Sequence, residues 1–137
     1  MAAISVTATS VVASTDNNDL DRGVAGEAIT AGQTLCKNST TGVIELFDAN
    51  GASAYMKICV GISAHAASTG QPIIYQRSGN MTFNTVLTAG VPYFGGSTAG
   101  GIHPSSDLGS GITTVFLGVA STTAILKINI YNSGVAQ

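Results

Sequence analysis

Ile125-Leu126-Lys127-Ile128-Asn129-Ile130-Tyr131 puts Leu126, Ile128 and Ile130 on one side of an extended chain and Lys127, Asn129 and Tyr131 on the other. Successive side chains of a strand point to opposite faces, so this period of two predicts a half-buried strand. Residues 55–62 read the same way, with Met56, Ile58, Val60 and Ile62 alternating with Tyr55, Lys57 and Cys59. Further strands are expected over 34–37, 43–47, 72–77, 81–87 and 113–120. Turn clusters separate them: Ser39-Thr40-Thr41-Gly42, Asp48-Ala49-Asn50-Gly51, Ser78-Gly79-Asn80 and Ser97-Thr98-Ala99-Gly100-Gly101. Helix signals are nearly absent, because 17 glycines interrupt the chain and Glu, Lys and Arg are scarce. Many short strands with regular turns predict an all-β fold, a small β-barrel or sandwich.

The strands recur. Ile29-Thr30-Ala31-Gly32 matches Leu87-Thr88-Ala89-Gly90, and at the same offset Ser39-Thr40 matches Ser97-Thr98, Gly42 matches Gly100 and Ile44 matches Ile102. That window holds seven identities over sixteen positions. Val60-Gly61-Ile62 then matches Leu117-Gly118-Val119 one residue out of step, and Arg77-Ser78-Gly79 resembles Asn132-Ser133-Gly134. Two copies of this length point to a duplicated β-unit rather than to a solenoid. Residues 23–137 are therefore expected to form one β domain made of two similar units, about 28–80 and 86–134.

Residues 1–22 stand outside the repeat as an extended N-terminal arm and linker. Ile4, Val6 and Ala8 alternate, Val11 and Val12 continue the apolar stretch, and Ser14-Thr15-Asp16-Asn17-Asn18-Asp19 is polar. So short a segment makes no sheet alone. It can add as a strand to the exposed sheet edge of a partner or a neighbouring subunit, or fold back on its own domain.

Composition narrows the function. The chain has 137 residues, enough for one domain with a core. Charged residues are 9%, against about 25% in an average soluble domain. The five basic residues, Arg22, Lys37, Lys57, Arg77 and Lys127, are scattered, which argues against nucleic acid as a partner. No apolar run approaches the ~20 residues of a membrane helix. The first residues lack a basic segment, which argues against a signal peptide. The poverty of charge suggests that much of the surface faces other protein.

The reactive side chains form no recognisable catalytic or metal motif. Repeat offsets put Cys36 opposite Phe94 and Cys59 opposite Phe116, positions expected in the core, so reduced, packed cysteines are favoured over a disulfide. There is no CxxC and no set of zinc ligands at short spacing. His65 and His103 pair with Thr122 and Glu45 in the repeat, so both are expected at solvated strand ends. Glu27 and Glu45 could meet across the first unit, but the second has Thr85 and His103 there. The glycine-rich 95–101 stretch carries no Lys and is expected to be a hairpin loop rather than a phosphate cradle. Met56-Lys57-Ile58 is similar to the modified hairpin of biotinyl and lipoyl carriers, yet Lys57 falls within an expected strand. With no secretory signal expected, the sequons at Asn38 and Asn80 are read as accidental. No enzyme activity, cofactor or metal is expected.

The string Gly23-Val24-Ala25-Gly26-Glu27-Ala28-Ile29-Thr30-Ala31-Gly32-Gln33, followed by a Ser/Thr-Gly turn and Val60-Gly61-Ile62-Ser63-Ala64, resembles a family of small tailed-bacteriophage head proteins, the capsid decoration or cement proteins. The resemblance continues through Gly70-Gln71-Pro72, Leu87-Thr88-Ala89-Gly90, Tyr93, Gly100-Gly101, Leu117-Gly118-Val119-Ala120 and Ser133-Gly134-Val135. It implies a β-rich protein on the outer capsid surface of the virion, made in the bacterial cytoplasm. Its implied partners are the major capsid protein and further copies of itself, commonly as a homotrimer. It implies no catalytic residues, and leaves the arm, Ile4, Val6, Ala8, Val11 and Val12, as the expected capsid- or neighbour-binding element. The competing reading is a carbohydrate-binding or tail-associated β-module, which calls for exposed aromatic rings.

Overall fold

The computed structural model describes residues 3–13, 19–104 and 112–136. The described residues form ten strands: β1 Val12–Ala13, β2 Asp19–Val24, β3 Thr34–Lys37, β4 Ile44–Leu46, β5 Gly61–Ser63, β6 Pro72–Thr82, β7 Pro92–Gly95, β8 Ile102–Pro104, β9 Thr113–Ala120 and β10 Ile125–Ala136. They form one curled antiparallel sheet, a half-barrel, with neighbour order β4-β3-β5-β6-β10-β9-β7-β8. The order is a palindrome: each strand of the first unit has its counterpart in the second, taken in reverse. β1 and β2 also pair with β6, through Val12↔Thr82, Ala13↔Met81 and Asp19↔Ser78 to Val24↔Pro72.

The matched turns have matched backbones. Gly32 and Gly90 have φ of 83° and 82°, and Gly42 and Gly100 have 79° and 73°. A side chain at such φ is strained, so glycine is what lets both copies turn at the same points. Gly32 N–H donates to Ser63 O at 2.9 Å, and Gly90 N–H repeats this with Ala120 O at 2.7 Å. The far strands of the two units also meet. Phe47 packs on Gly95, Thr34 N–H donates to Gly100 O at 3.0 Å, and Ala49 N–H donates to Gly96 O at 3.0 Å. One apolar cluster, including Phe47, Ile62, Met81, Phe83, Tyr93, Leu117, Leu126 and Ile128, therefore spans both units. A smaller one, including Ile29, Leu35, Ile44 and Ile73, lies within the first.

Several expectations change. Residues 55–62 are not one strand: Ala54–Lys57 is a 3₁₀ turn, and pairing begins at Gly61. Met56 N–H donates to Ser53 O at 3.1 Å, and Asp48 N–H bonds Met56 O at 2.9 Å, where Gly51 leaves room for the Met56 side chain. These local bonds override the alternation, and Lys57 lies in that turn. The turn expected at Ser78-Gly79-Asn80 is part of β6, which runs on from Pro72 into the expected 81–87 strand and ends at Thr82 because Phe83 N–H turns to Ala124 O. The boundary expected after residue 22 falls inside β2, whose pairing with β6 is unbroken from Leu20 to Val24. The alternating start of the arm is extended but joins no ladder, and Ala8–Ser10 closes it with a 3₁₀ turn. Residues 14–18 of the expected linker lie outside the described residues.

Candidate docking face and strap

Cross-strand register assembles the most distinctive surface of the second unit. Phe94 of β7 pairs with Phe116 of β9, and Phe116 pairs with Tyr131 of β10. Directly opposed residues share a face, so the three aromatic residues form a row across adjacent strands. The chain neighbours Tyr93, Val115 and Leu117 point the other way into the core. Phe94 and Phe116 meet edge to face, with ring centroids 5.7 Å apart and planes at 71°. Both are half-buried, and Tyr131 is 67% exposed. In the next row Val119 of β9 pairs with both Pro92 and Lys127, and Val119 is also exposed.

This corrects the expected core placement of Phe94 and Phe116. Their repeat counterparts Cys36 and Cys59 are buried, and both are free thiols. Burial pushes each thiol up to about 12, helped at Cys36 by the charge of Glu45. Neither is poised as a nucleophile, which requires a depressed pKa and access.

A groove of about 600 Å³ lies apart from the row, along β10, lined by Ile58, Val60 and Ile130 on its apolar side. On its polar side Arg77 stands 3.9 Å from Asp19 and 3.7 Å from Asp21, with all three side chains about half exposed. Solvent screening leaves such pairs worth little. Burial, with the charge of Asp21, raises the Tyr75 phenol beneath them.

The remaining candidate groups are engaged in shaping the fold. Glu27 accepts Leu46 N–H at 3.0 Å, whereas Glu45 accepts from Tyr55 Oη at 2.9 Å and Asn38 Nδ2 at 3.2 Å. The bond to Glu45 is the main cause that raises the Tyr55 phenol. Ile74 N–H donates to His65 Nε2 at 3.0 Å, so Nδ1 carries the proton given to Ala66 O at 2.9 Å. His103 is not at a solvated end but 1% exposed. Its ring lies over Gly96 and beside Gly101, where the first unit has Asn38 and Val43, so the second unit alone has room to bury it. Among the described residues no group of three or more His, Cys, Asp and Glu could hold a metal ion. No helix among them is long and apolar enough to cross a membrane.

The arm is folded back on its own domain as a strap. Ile4 N–H donates to Ile102 O at 2.9 Å. Asn84 reads the strap backbone from both sides, accepting Thr7 N–H at 2.8 Å and donating to Ser5 O at 2.9 Å. Ile4, Val6 and Ala8 are half-buried against the common core, and Val11 belongs to it. Val12, on β1, is 58% exposed. The seat is built from glycine: an added Cβ on Gly32 would lie 2.7 Å from Val6 and 2.8 Å from Val11. Four of the five arm residues thus face the body of the single chain. Sequence reading missed the aromatic row and the role of Asn84, because both depend on register between distant segments.

No protein-family model matches this chain, and no curated protein matches it in sequence.

Proposed function

We propose that the chain is a non-enzymatic structural protein of the virion, a decoration or cement protein that binds the outer surface of a phage capsid and stabilises the head lattice. It acts as a homo-oligomer, most simply a trimer, with the major capsid protein as its second partner. The observation that carries this reading is the row Phe94–Phe116–Tyr131 on the outer face of a chain with 9% charged residues. Aromatic residues are enriched, and charges depleted, at the cores of protein interfaces. The sequence resemblance points the same way. Co-sedimentation with capsids lacking decoration, together with light scattering of the free protein, tests the proposal. Saturable binding and a defined oligomer are expected. A stable monomer that stays in the supernatant overturns it.

The exposed Tyr131 also suits the alternative, a carbohydrate-binding or tail-associated module. The edge-to-face packing of Phe94 on Phe116 argues against it, because planes at 71° offer no flat platform for successive sugar rings. Binding on a glycan array that is lost in Tyr131→Ala would favour that alternative.

A further inference from the structure

We infer that the strap is an exchangeable element, and that in the assembled oligomer residues 3–13 of one copy occupy the seat of a neighbouring copy. The inference rests on the oligomeric reading above and specifies how copies are joined. The seat recognises this segment by shape and backbone: Gly32 receives Val6 and Val11, Gly101 receives Ala3, and Asn84 and Ile102 bind the strap backbone. Every one of these contacts is preserved when an identical strap comes from another copy, which is why such exchange costs little.

Two further observations favour release of the strap. A cavity of about 220 Å³ lies between Ala3, Ile4 and Val6 of the strap and the turns at 30–33 and 98–102, so the strap's first half does not fill the seat. The connection to the body is also longer than the closed form requires. Ala13 pairs with Met81 and Asp19 with Ser78, so six chain steps cover three steps along β6. Three ladder steps span about 10 Å, whereas six extended residues reach about 20 Å. The surplus gives the strap the reach to cross to an adjacent copy. Copies held side by side present their seats at high effective concentration, which makes the exchanged form accessible in the assembly.

Cysteine trapping tests this. A Cβ added to Gly101 would lie 2.8 Å from that of Ala3 and 3.1 Å from that of Thr98, so positions 3 and 98 are neighbours across the seat. Thr98 is exposed and Ala3 half-buried, so single replacements there leave the core intact. Ala3→Cys and Thr98→Cys are purified separately, mixed at a concentration where light scattering reports the oligomer, and oxidised. The expected result is a disulfide-linked dimer that neither variant forms alone, and a covalent ladder from the double variant. In an oligomer of confirmed size, unlinked single variants and a double variant closed only within its own chain would overturn strap exchange alone. A chain that remains monomeric at micromolar concentration overturns the oligomeric reading and this inference with it.

Discussion

Asn132 grips the peptide groups of Cys59: Cys59 N–H donates to Asn132 Oδ1 at 2.8 Å, and Asn132 Nδ2 donates to Cys59 O at 3.1 Å. The side-chain amide serves as a ladder rung, tying the segment before β5 to β10 seventy-three residues away. It also places Ile58 and Val60 beside Ile130 along the groove.

Asn132→Ala should therefore destabilise the chain by about 1–3 kcal/mol, because a buried peptide loses both partners. Asn132→Asp retains the acceptor for Cys59 N–H but sets a carboxylate against Cys59 O, and should also be destabilising. Urea unfolding with an unchanged slope is the check. A change within 0.5 kcal/mol for Asn132→Ala would show that the amide bonds are dispensable, as is usual for surface sites (about ±0.5 kcal/mol).

The repeat supplies its own control for the strap. Gly32 and Gly90 share a left-handed backbone, but Gly90 has open space where Gly32 has Val6 and Val11. Gly90→Ala should cost about 1 kcal/mol from the backbone alone. Gly32→Ala should cost more, because the new methyl displaces the strap. In a variant lacking residues 1–13 the two costs should converge. Equal costs in the full-length chain, by thermal or urea unfolding, would contradict the seat described for Gly32.

Cys36 and Cys59 make stability fall at high pH. Their folded pKa values, about 12, stand above the ordinary 9.0, so the folded state holds protons that the unfolded chain releases. Their contribution is complete below pH 9 and is lost as pH rises from 9 towards 12. Tyr55 and Tyr75, also raised, add to the fall at the upper end. Replacing both cysteines by Ala should flatten the unfolding free energy measured from pH 8 to 10.5. Each thiol donates to a backbone carbonyl, Cys36 Sγ to Leu46 O at 3.4 Å and Cys59 Sγ to Gly61 O at 3.6 Å. A Ser hydroxyl inherits that partner, so Cys→Ser at either position should cost at most about 1–3 kcal/mol, the cost of burying a hydroxyl without one. Thiol titration should find two free thiols on denaturation without reductant and slow reaction before it.

The aromatic row should matter more to association than to folding. Tyr131→Lys changes an exposed side chain, so its stability should stay within about 0.5 kcal/mol of the parent. Its association with copies or capsids should weaken at least tenfold, equivalent to about 1.4 kcal/mol. Phe116→Ala should lose both, since its ring also packs on Phe94. Sedimentation velocity and capsid co-sedimentation separate the two effects. Unchanged association in Tyr131→Lys would remove the row from the interface.

Local chemistry sufficed for the all-β character. Alternation at Leu126, Ile128 and their neighbours, and glycine at the left-handed turns of residues 32, 42, 90 and 100, act over a few residues and need no partner to be read. The burial of Cys36 and Cys59 was also accessible, although the argument leaned on Phe94 and Phe116, which proved to face outward. Alternation separates two faces but does not say which is inside when both carry large apolar groups, as at Tyr93-Phe94 and at Val115-Phe116-Leu117. Pairing between β7, β9 and β10 settles that choice. The same holds for His103, buried because Gly96 and Gly101 leave space that a pairwise match to Glu45 could not reveal. It holds for the strap as well, whose periodicity suits an external strand and its own domain equally. Asn84, Ile102 and Gly32 lie far from it in sequence, and their contacts exist only once the two units have closed on one another.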